Sequence, residues 1–259
     1  MGMIQSLYTM QLKFTRGDVK MGIFDAAGIR YISHRGFRPL APDNSLPGFE
    51  YAGILKQWAI ETDVHETCDG VLVCNHNATV DETYNGTGYI QDMTWSELSA
   101  LRMNCGNRLA CLRDEQLRMP LFSEYLAICR KYGCVPFIEM KSDNAEAVVR
   151  AARDAGFEDS QLVISSGMLH HLEGVRAYSK DIYIHWIFAQ ESGLSQLCDL
   201  GNGGISWNIP DCFACPKEKI DLAHDMGLKV CLRAGDSVEQ VLHMQSLGLD
   251  YIPTNCMHE

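Results

Sequence analysis

The sequence predicts a (β/α)8 barrel, and three observations carry that expectation. Short apolar runs rich in Val, Ile and aromatic residues alternate with longer stretches of helical character. Parallel strands need long crossovers, which helices usually supply, so the alternation implies a parallel sheet. Eight such runs occur, and a chain of 259 residues has the length at which α/β barrels of about 250 residues form one unit. Several helical stretches also end in Gly, the expected C-terminal stop.

Residues 1–29 stand apart from this rhythm. YTMQLKF, TRGD and VKMGIF read as two short strands around a Gly-containing turn, so an N-terminal extension with a hairpin is expected ahead of a barrel spanning 30–259. The barrel strands are expected at RYISHR (30–35), WAIETDV (58–64), VPFIEMK (135–141), QLVISS (161–166), IYIHWIF (182–188), GGISWN (203–208), KVCLR (229–233) and DYIPTN (250–255). Between them lie SLPGFEYAGILKQ, FSEYLAICRKYG, AEAVVRAARDAG, MLHHLEGVRAYS, PKEKIDLAHDMG and VEQVLHMQSLG, all read as helices.

One run breaks the pattern. VLVCNHN (71–77) follows Asp63 after only the TCDG turn region, too few residues for a parallel crossover. Residues from about 64 to 119 are therefore read as an insertion after the second strand. It holds a hairpin, an NGTG loop and the helix TWSELSALR, whose Thr94 and Glu97 form a capping-box pattern.

Composition narrows the function. With 46% hydrophobic and 21% charged residues the chain can build a sizeable core, and its net charge of −11 argues against nucleic acid or an anionic membrane as partner. No run approaches the roughly 20 apolar residues of an integral membrane segment. The eleven cysteines are scattered and odd in number. Cys212 and Cys215 have CxxC spacing without a second pair, so free thiols in a reducing, cytoplasmic compartment are expected. His170 and His171 are read as solvent-facing helix residues, and Trp186 as a core residue in preference to an aromatic wall for the substrate. Gly201–Gly204 is a turn without a dinucleotide fingerprint.

Barrel active sites form at the C-terminal ends of the strands. The first strand ends in His34 and Arg35, the second carries Glu61 and Asp63, and the 135–141 strand carries Glu139 and Lys141; the insertion adds His76. Glu61 and Asp63 share a strand face, as do Glu139 and Lys141. Three carboxylates suit a hard divalent cation, Mg²⁺ or Ca²⁺. Arg35 and Lys141 can hold a phosphate, and His34 with His76 can act as general base and acid. That combination is what displacement at a phosphodiester needs.

The stretches ISHRGFRPLAPDNS, AIETDV, DGVLVCNHNATVDETYNGTG and FIEMK resemble, in order, the motifs of the glycerophosphodiester phosphodiesterase family. The match runs from about residue 30 to the C-terminus and is dense over 30–141. The resemblance implies a (β/α)8 barrel with a small insertion after the second strand. It also implies hydrolysis of small-molecule glycerophosphodiesters to glycerol 3-phosphate and an alcohol, with the glycerol hydroxyl as internal nucleophile. On that pattern His34 and His76 are the acid–base pair, Glu61, Asp63 and Glu139 hold one divalent cation, and Arg35 and Lys141 contact the phosphate. The chain departs from the family where Arg233–Ala234–Gly235–Asp236 replaces WTVN and where Pro253–Thr254–Asn255 replaces the late ITD. Arg233 is read as either a replacement anion contact or a strand-end charge. Two other readings stay open: a phospholipase-D-like lyase forming a cyclic phosphate, and a module that binds polyol-phosphate polymers.

Overall fold

The computed structural model describes residues 22–25 and 28–258. The expected N-terminal hairpin lies outside the described residues, apart from Gly22–Asp25. In chain order the strands are β1 (Tyr31–Ser33), β2 (Ala59–Glu66), β3 (Leu72–Cys74), β4 (Val135–Met140), β5 (Val163–Ser166), β6 (Tyr183–Trp186), β7 (Gly203–Ser206), β8 (Lys229–Cys231) and β9 (Ile252–Thr254). All except β3 run parallel, in the order β8-β7-β6-β5-β4-β2-β1-β9, and each of the eight expected runs holds one of them. The chain is a nearly closed (β/α)8 barrel. Its seam lies between β8 and β9, where the Asp250 N–H donates to the Val230 carbonyl at 3.0 Å. The Asp250 carboxylate returns the bond by accepting from the Val230 N–H at 2.8 Å.

The crossover helices begin and stop where local chemistry tells them to. In α1 (Leu46–Ile54) the Ser45 hydroxyl caps the start by accepting from the Gly48 N–H. After β3 come α2 (Trp95–Ala100) and α3 (Phe122–Tyr132), and α3 ends on the left-handed Gly133. Asn144 caps α4 (Ala145–Asp154), and α5 (Leu169–Arg176), α6 (Leu194–Leu200) and α7 (Lys217–Asp225) follow. The Ser237 hydroxyl caps α8 (Val238–Leu247), which stops on the left-handed Gly248. The main core lies between the ring and these helices, with Ile60, Val64, Ile138, Ile164, Ile184 and Val230 facing outward into it.

Inside the ring a second cluster fills the barrel, built from Ile32, Ala59, Phe137, Val163, Tyr183, Cys231 and Tyr251. Ile23 and Phe24 pack against its lower end, and the Trp58 indole N–H donates to the Ile23 carbonyl at 2.9 Å. A Cβ at Gly204 would collide with the hydroxyls of Tyr183 and Tyr251, so the absence of a side chain there lets two tyrosines share the interior. Ala59 belongs to this interior cluster, and side chains two apart on a strand share a face. Glu61 and Asp63 therefore continue the same inward face toward the mouth.

β2 runs two residues beyond its expected end, because Val64–Glu66 pair antiparallel with β3. That hairpin starts the insertion, which carries its own apolar cluster of Val73, Val80, Tyr84, Ile90, Leu98, Met103 and Met119. The capping box on α2 is formed: the Thr94 N–H donates to Glu97 at 2.8 Å while the Glu97 N–H donates to the Thr94 hydroxyl at 3.3 Å.

Candidate active site

Strand register brings the carboxylates together. Asp63 on β2 lies directly opposite Glu139 on β4, and Glu61 sits two residues lower on the same face. Oxygens of Glu61, Asp63 and Glu139 all lie within 4.8 Å of one another. Such crowding is unfavourable for like charges in a dry site. Burial, then Asp63 and Glu139, pushes the Glu61 carboxyl well above its usual range. Burial and Asp63 also raise Glu139. Burial opposes ionisation of Asp63 as well, but Lys141 and Arg35 outweigh it and hold its carboxyl low. The Lys141 ammonium is 3.1 Å from Asp63 Oδ1 and is also bonded to Glu139. Arg35 Nε is 3.5 Å from Asp63 Oδ2.

The turn after β1 adds a second restraint. Arg35 is left-handed at φ 60°, and Gly36 follows at φ 83°. This tight turn aims the Arg35 N–H at Glu61 Oε2, 2.7 Å away. Glu61 Oε1 is buried with no hydrogen-bond partner among the described residues. A buried carboxylate oxygen left unpaired is costly, and an all-oxygen set with such an orphan fits a hard divalent cation. Glu61, Asp63 and Glu139 therefore fit the ion that the sequence led us to expect.

The two histidines follow β1 and β3, both of which pair with β2. His34 follows β1, is partly buried, and has Nδ1 2.9 Å from Asn255 Oδ1. Burial, then Arg35, lowers its pKa, which favours a neutral imidazole. His76 follows β3 at the start of the insertion, with Nδ1 2.7 Å from Asn77 Oδ1. Partial desolvation by its neighbours is the main cause lowering its pKa, while the charge of Asp63 pulls it back up.

All seven expected residues thus lie at the mouth, on β1, β2, β4 or the turns that follow them and β3. Several others were not singled out. Asn44, left-handed at φ 48°, donates to Asp63 Oδ2 at 2.9 Å and accepts from the Thr62 hydroxyl at 2.7 Å. Asp43 accepts from Arg38 Nε at 2.6 Å. Asp236 and Asn255 bond to each other beside His34. A polar Asp-Asn-Ser run just before a helix was the available signal for Asn44; for Asp236 and Asn255 it was only the departure from the family motifs at those positions. Arg233 lies away from the carboxylates, with its guanidinium 4.8 Å from the centre of the Phe188 ring and Nη2 3.1 Å from Asn208 Oδ1. Trp186 is buried, as expected for core.

A second set within metal-binding distance is Asp143, His170 and His171. Both histidine Nε2 atoms lie within 3.1 Å of Asp143 Oδ1, so these groups satisfy one another as a hydrogen-bonded cluster. His171 is buried and 2.8 Å from the Ser166 hydroxyl, which corrects the reading of it as a solvent-facing residue. The eleven cysteines are free thiols, Cys212 and Cys215 among them.

Residues 34–184 match the glycerophosphoryl diester phosphodiesterase family. The chain belongs to that family. Membership makes it an enzyme, a phosphoric diester hydrolase by class. A glycerophosphodiester phosphodiesterase of Caldanaerobacter subterraneus subsp. tengcongensis is 27% identical over 233 residues, spanning 86% of this chain and 93% of the relative. Glycerophosphodiester phosphodiesterase 1 of Homo sapiens is 31% identical over 139 residues, which is 53% of this chain and 41% of the human protein. Among solved structures, an Oleispira antarctica phosphodiesterase in complex with the product sn-glycerol-3-phosphate superposes with a TM-score of 0.78 at 21% identity, over 87% of this chain and 92% of that one. The Agrobacterium tumefaciens glycerophosphodiester phosphodiesterase gives 0.74 at 24% identity, over 88% and 97%. These superpositions show the phosphodiesterase barrel fold. No helix among the described residues is long and apolar enough to cross a membrane.

Proposed function

We propose that residues 30–259 form a barrel that hydrolyses small glycerophosphodiesters to glycerol 3-phosphate and an alcohol. The observation that carries this reading is the buried Glu61 Oε1, unpaired among the described residues, beside Asp63 and Glu139, with two basic side chains and two histidines around it. Glu61, Asp63 and Glu139 would hold one divalent cation, Mg²⁺ or Ca²⁺. When bound, such an ion offsets negative charge on phosphoryl oxygens.

The chain's own groups divide the remaining work. Lys141 and Arg35 now neutralise Asp63 from two sides. Their positive charge also faces the region a phosphate would enter, where it offsets the negative field of an acidic protein. His34 and His76 exchange protons with the attacking hydroxyl and the leaving alcohol, the work to which imidazole is suited. If the attacking hydroxyl is the substrate's own, holding it near phosphorus turns a bimolecular step into an intramolecular one.

The test is phosphorus NMR of products after incubating the protein and Mg²⁺ or Ca²⁺ with glycerophosphocholine, glycerophosphoethanolamine and glycerophosphoglycerol. Glycerol 3-phosphate is the expected product. A cyclic phosphate that accumulates without opening would replace hydrolysis by a lyase reaction. No turnover of any diester would leave the barrel as a binding module.

A further inference from the structure

The first histidine is held by groups that the reaction does not consume. Asn255 Oδ1 faces His34 Nδ1 at 2.9 Å and accepts from Arg38 Nη1 at 2.7 Å. At its other end, Asn255 Nδ2 donates to Asp236 Oδ2 at 2.6 Å. The Asn255 main-chain N–H donates to Asp236 Oδ1 at 2.7 Å, and the Thr254 hydroxyl donates to the same oxygen at 3.2 Å. Asp236 is steadied in turn, its N–H donating to Gln240 Oε1 at 2.9 Å.

These partners decide the orientation of the amide. A guanidinium only donates, so the amide atom facing Arg38 is oxygen; a carboxylate only accepts, so the atom facing Asp236 is nitrogen. The oxygen that faces His34 can only accept. Nδ1 of a neutral His34 must then carry the hydrogen, and the lone pair lies on Nε2. Without Asp236 the amide would be held at one end only.

We propose that Asp236 and Asn255 are a positioning pair that locks His34 in the Nδ1–H tautomer with Nε2 presented to the substrate. The proposal rests on His34 belonging to the acid–base pair. In this tautomer His34 enters turnover as the proton acceptor. The O–H bond of the attacking hydroxyl breaks as Nε2–H forms, oxygen bonds to phosphorus, and the departing oxygen takes its proton from His76. Both residues of the pair lie where the chain departs from the family motifs. An amide against His34 orients the ring without placing a second negative charge on it.

The experiment is a swap. Asn255→Asp sets two carboxylates face to face, and Asp236→Asn sets two amides face to face. Each single variant should lose roughly 10- to 100-fold in kcat, the usual scale for a group that orients a site residue, with KM changed less than about threefold. Combining Asn255→Asp with Asp236→Asn restores a donor and an acceptor at the contact and should recover most of the loss. Nitrogen-15 NMR of histidine-labelled wild-type protein should show His34 protonated at Nδ1, and Asn255→Ala should move it toward Nε2–H. A wild-type His34 carrying its hydrogen on Nε2, or a double variant no better than its parents, would overturn the proposal. The NMR readout does not depend on turnover. Full activity of His34→Ala would instead remove the acid–base reading beneath it.

Discussion

The main-chain N–H of Arg35 meets Glu61 Oε2 at 2.7 Å, while the other oxygen of that carboxylate stays buried and without a partner among the described residues. One backbone bond fixes the carboxylate's direction without neutralising it. Glu61→Gln keeps an acceptor for the Arg35 N–H and removes the charge. It should weaken Mg²⁺ or Ca²⁺ binding at least about tenfold and abolish the rise in Tm that a bound ion gives by mass action. Calorimetric titration measures this directly, and unchanged affinity would remove Glu61 from the ligand set.

His34→Ala and His76→Ala should each cost at least about 10²-fold in rate, the usual scale for a general acid or base. Their thermal stability should stay close to wild type in the case of His76, which is exposed on the insertion. Near-normal kcat in either variant would take that histidine out of the proton transfer.

Gly36 combines a left-handed backbone with a close approach. A Cβ there would lie 2.7 Å from the Gly48 carbonyl carbon and 3.0 Å from the Phe49 nitrogen, at φ 83°. Gly36→Ala should therefore destabilise the protein by about 2–4 kcal/mol and shift the turn that aims Arg35. Urea denaturation checks the first effect. Loss of activity in the folded fraction checks the second.

His185 supplies a pH dependence of stability. It is buried inside the barrel with Nδ1 2.6 Å from the Tyr251 hydroxyl, and burial pushes its pKa down to about 3 from 6.5. Between those values the unfolded chain binds a proton that the folded chain does not. Its contribution is thus fully present above the unfolded pKa and is lost as pH falls toward the folded one, at up to about 1.4 kcal/mol per pH unit. Urea denaturation at about pH 7 and about pH 4.5 should show a smaller acid loss for His185→Gln than for wild type. Equal losses would mean that His185 takes up its proton while folded.

The barrel was legible because its signals are local. Apolar runs such as QLVISS, helix stops such as Gly133 and a missing crossover before VLVCNHN are all read within a few residues. The carboxylate pair was legible for the same reason, since Glu61 and Asp63 share a face by strand periodicity alone. Asn44, Asp236 and Asn255 were not, because their roles arise from contacts made across the fold. Asn44 reaches Asp63 from 19 residues away, and Asn255 reaches His34 across 221. His171 was misread because helical position says nothing about the Ser166 hydroxyl waiting on the preceding strand. At residues 233–236 the motif comparison marked a departure but not what the new aspartate bonds.

The contact between His34 and Asn255 also bears on how the protein reaches its active form. The two follow β1 and β9, the first and last strands of the barrel, which pair with each other, and the neighbouring seam is joined through Asp250. Contacts so distant in sequence form late, after the loop between their ends has been closed at an entropic cost. During refolding, helix content and most of the sheet can return while His34 still lacks its partner. Regained catalysis should then trail regained secondary structure, and the interval between the two would time the closing of the barrel.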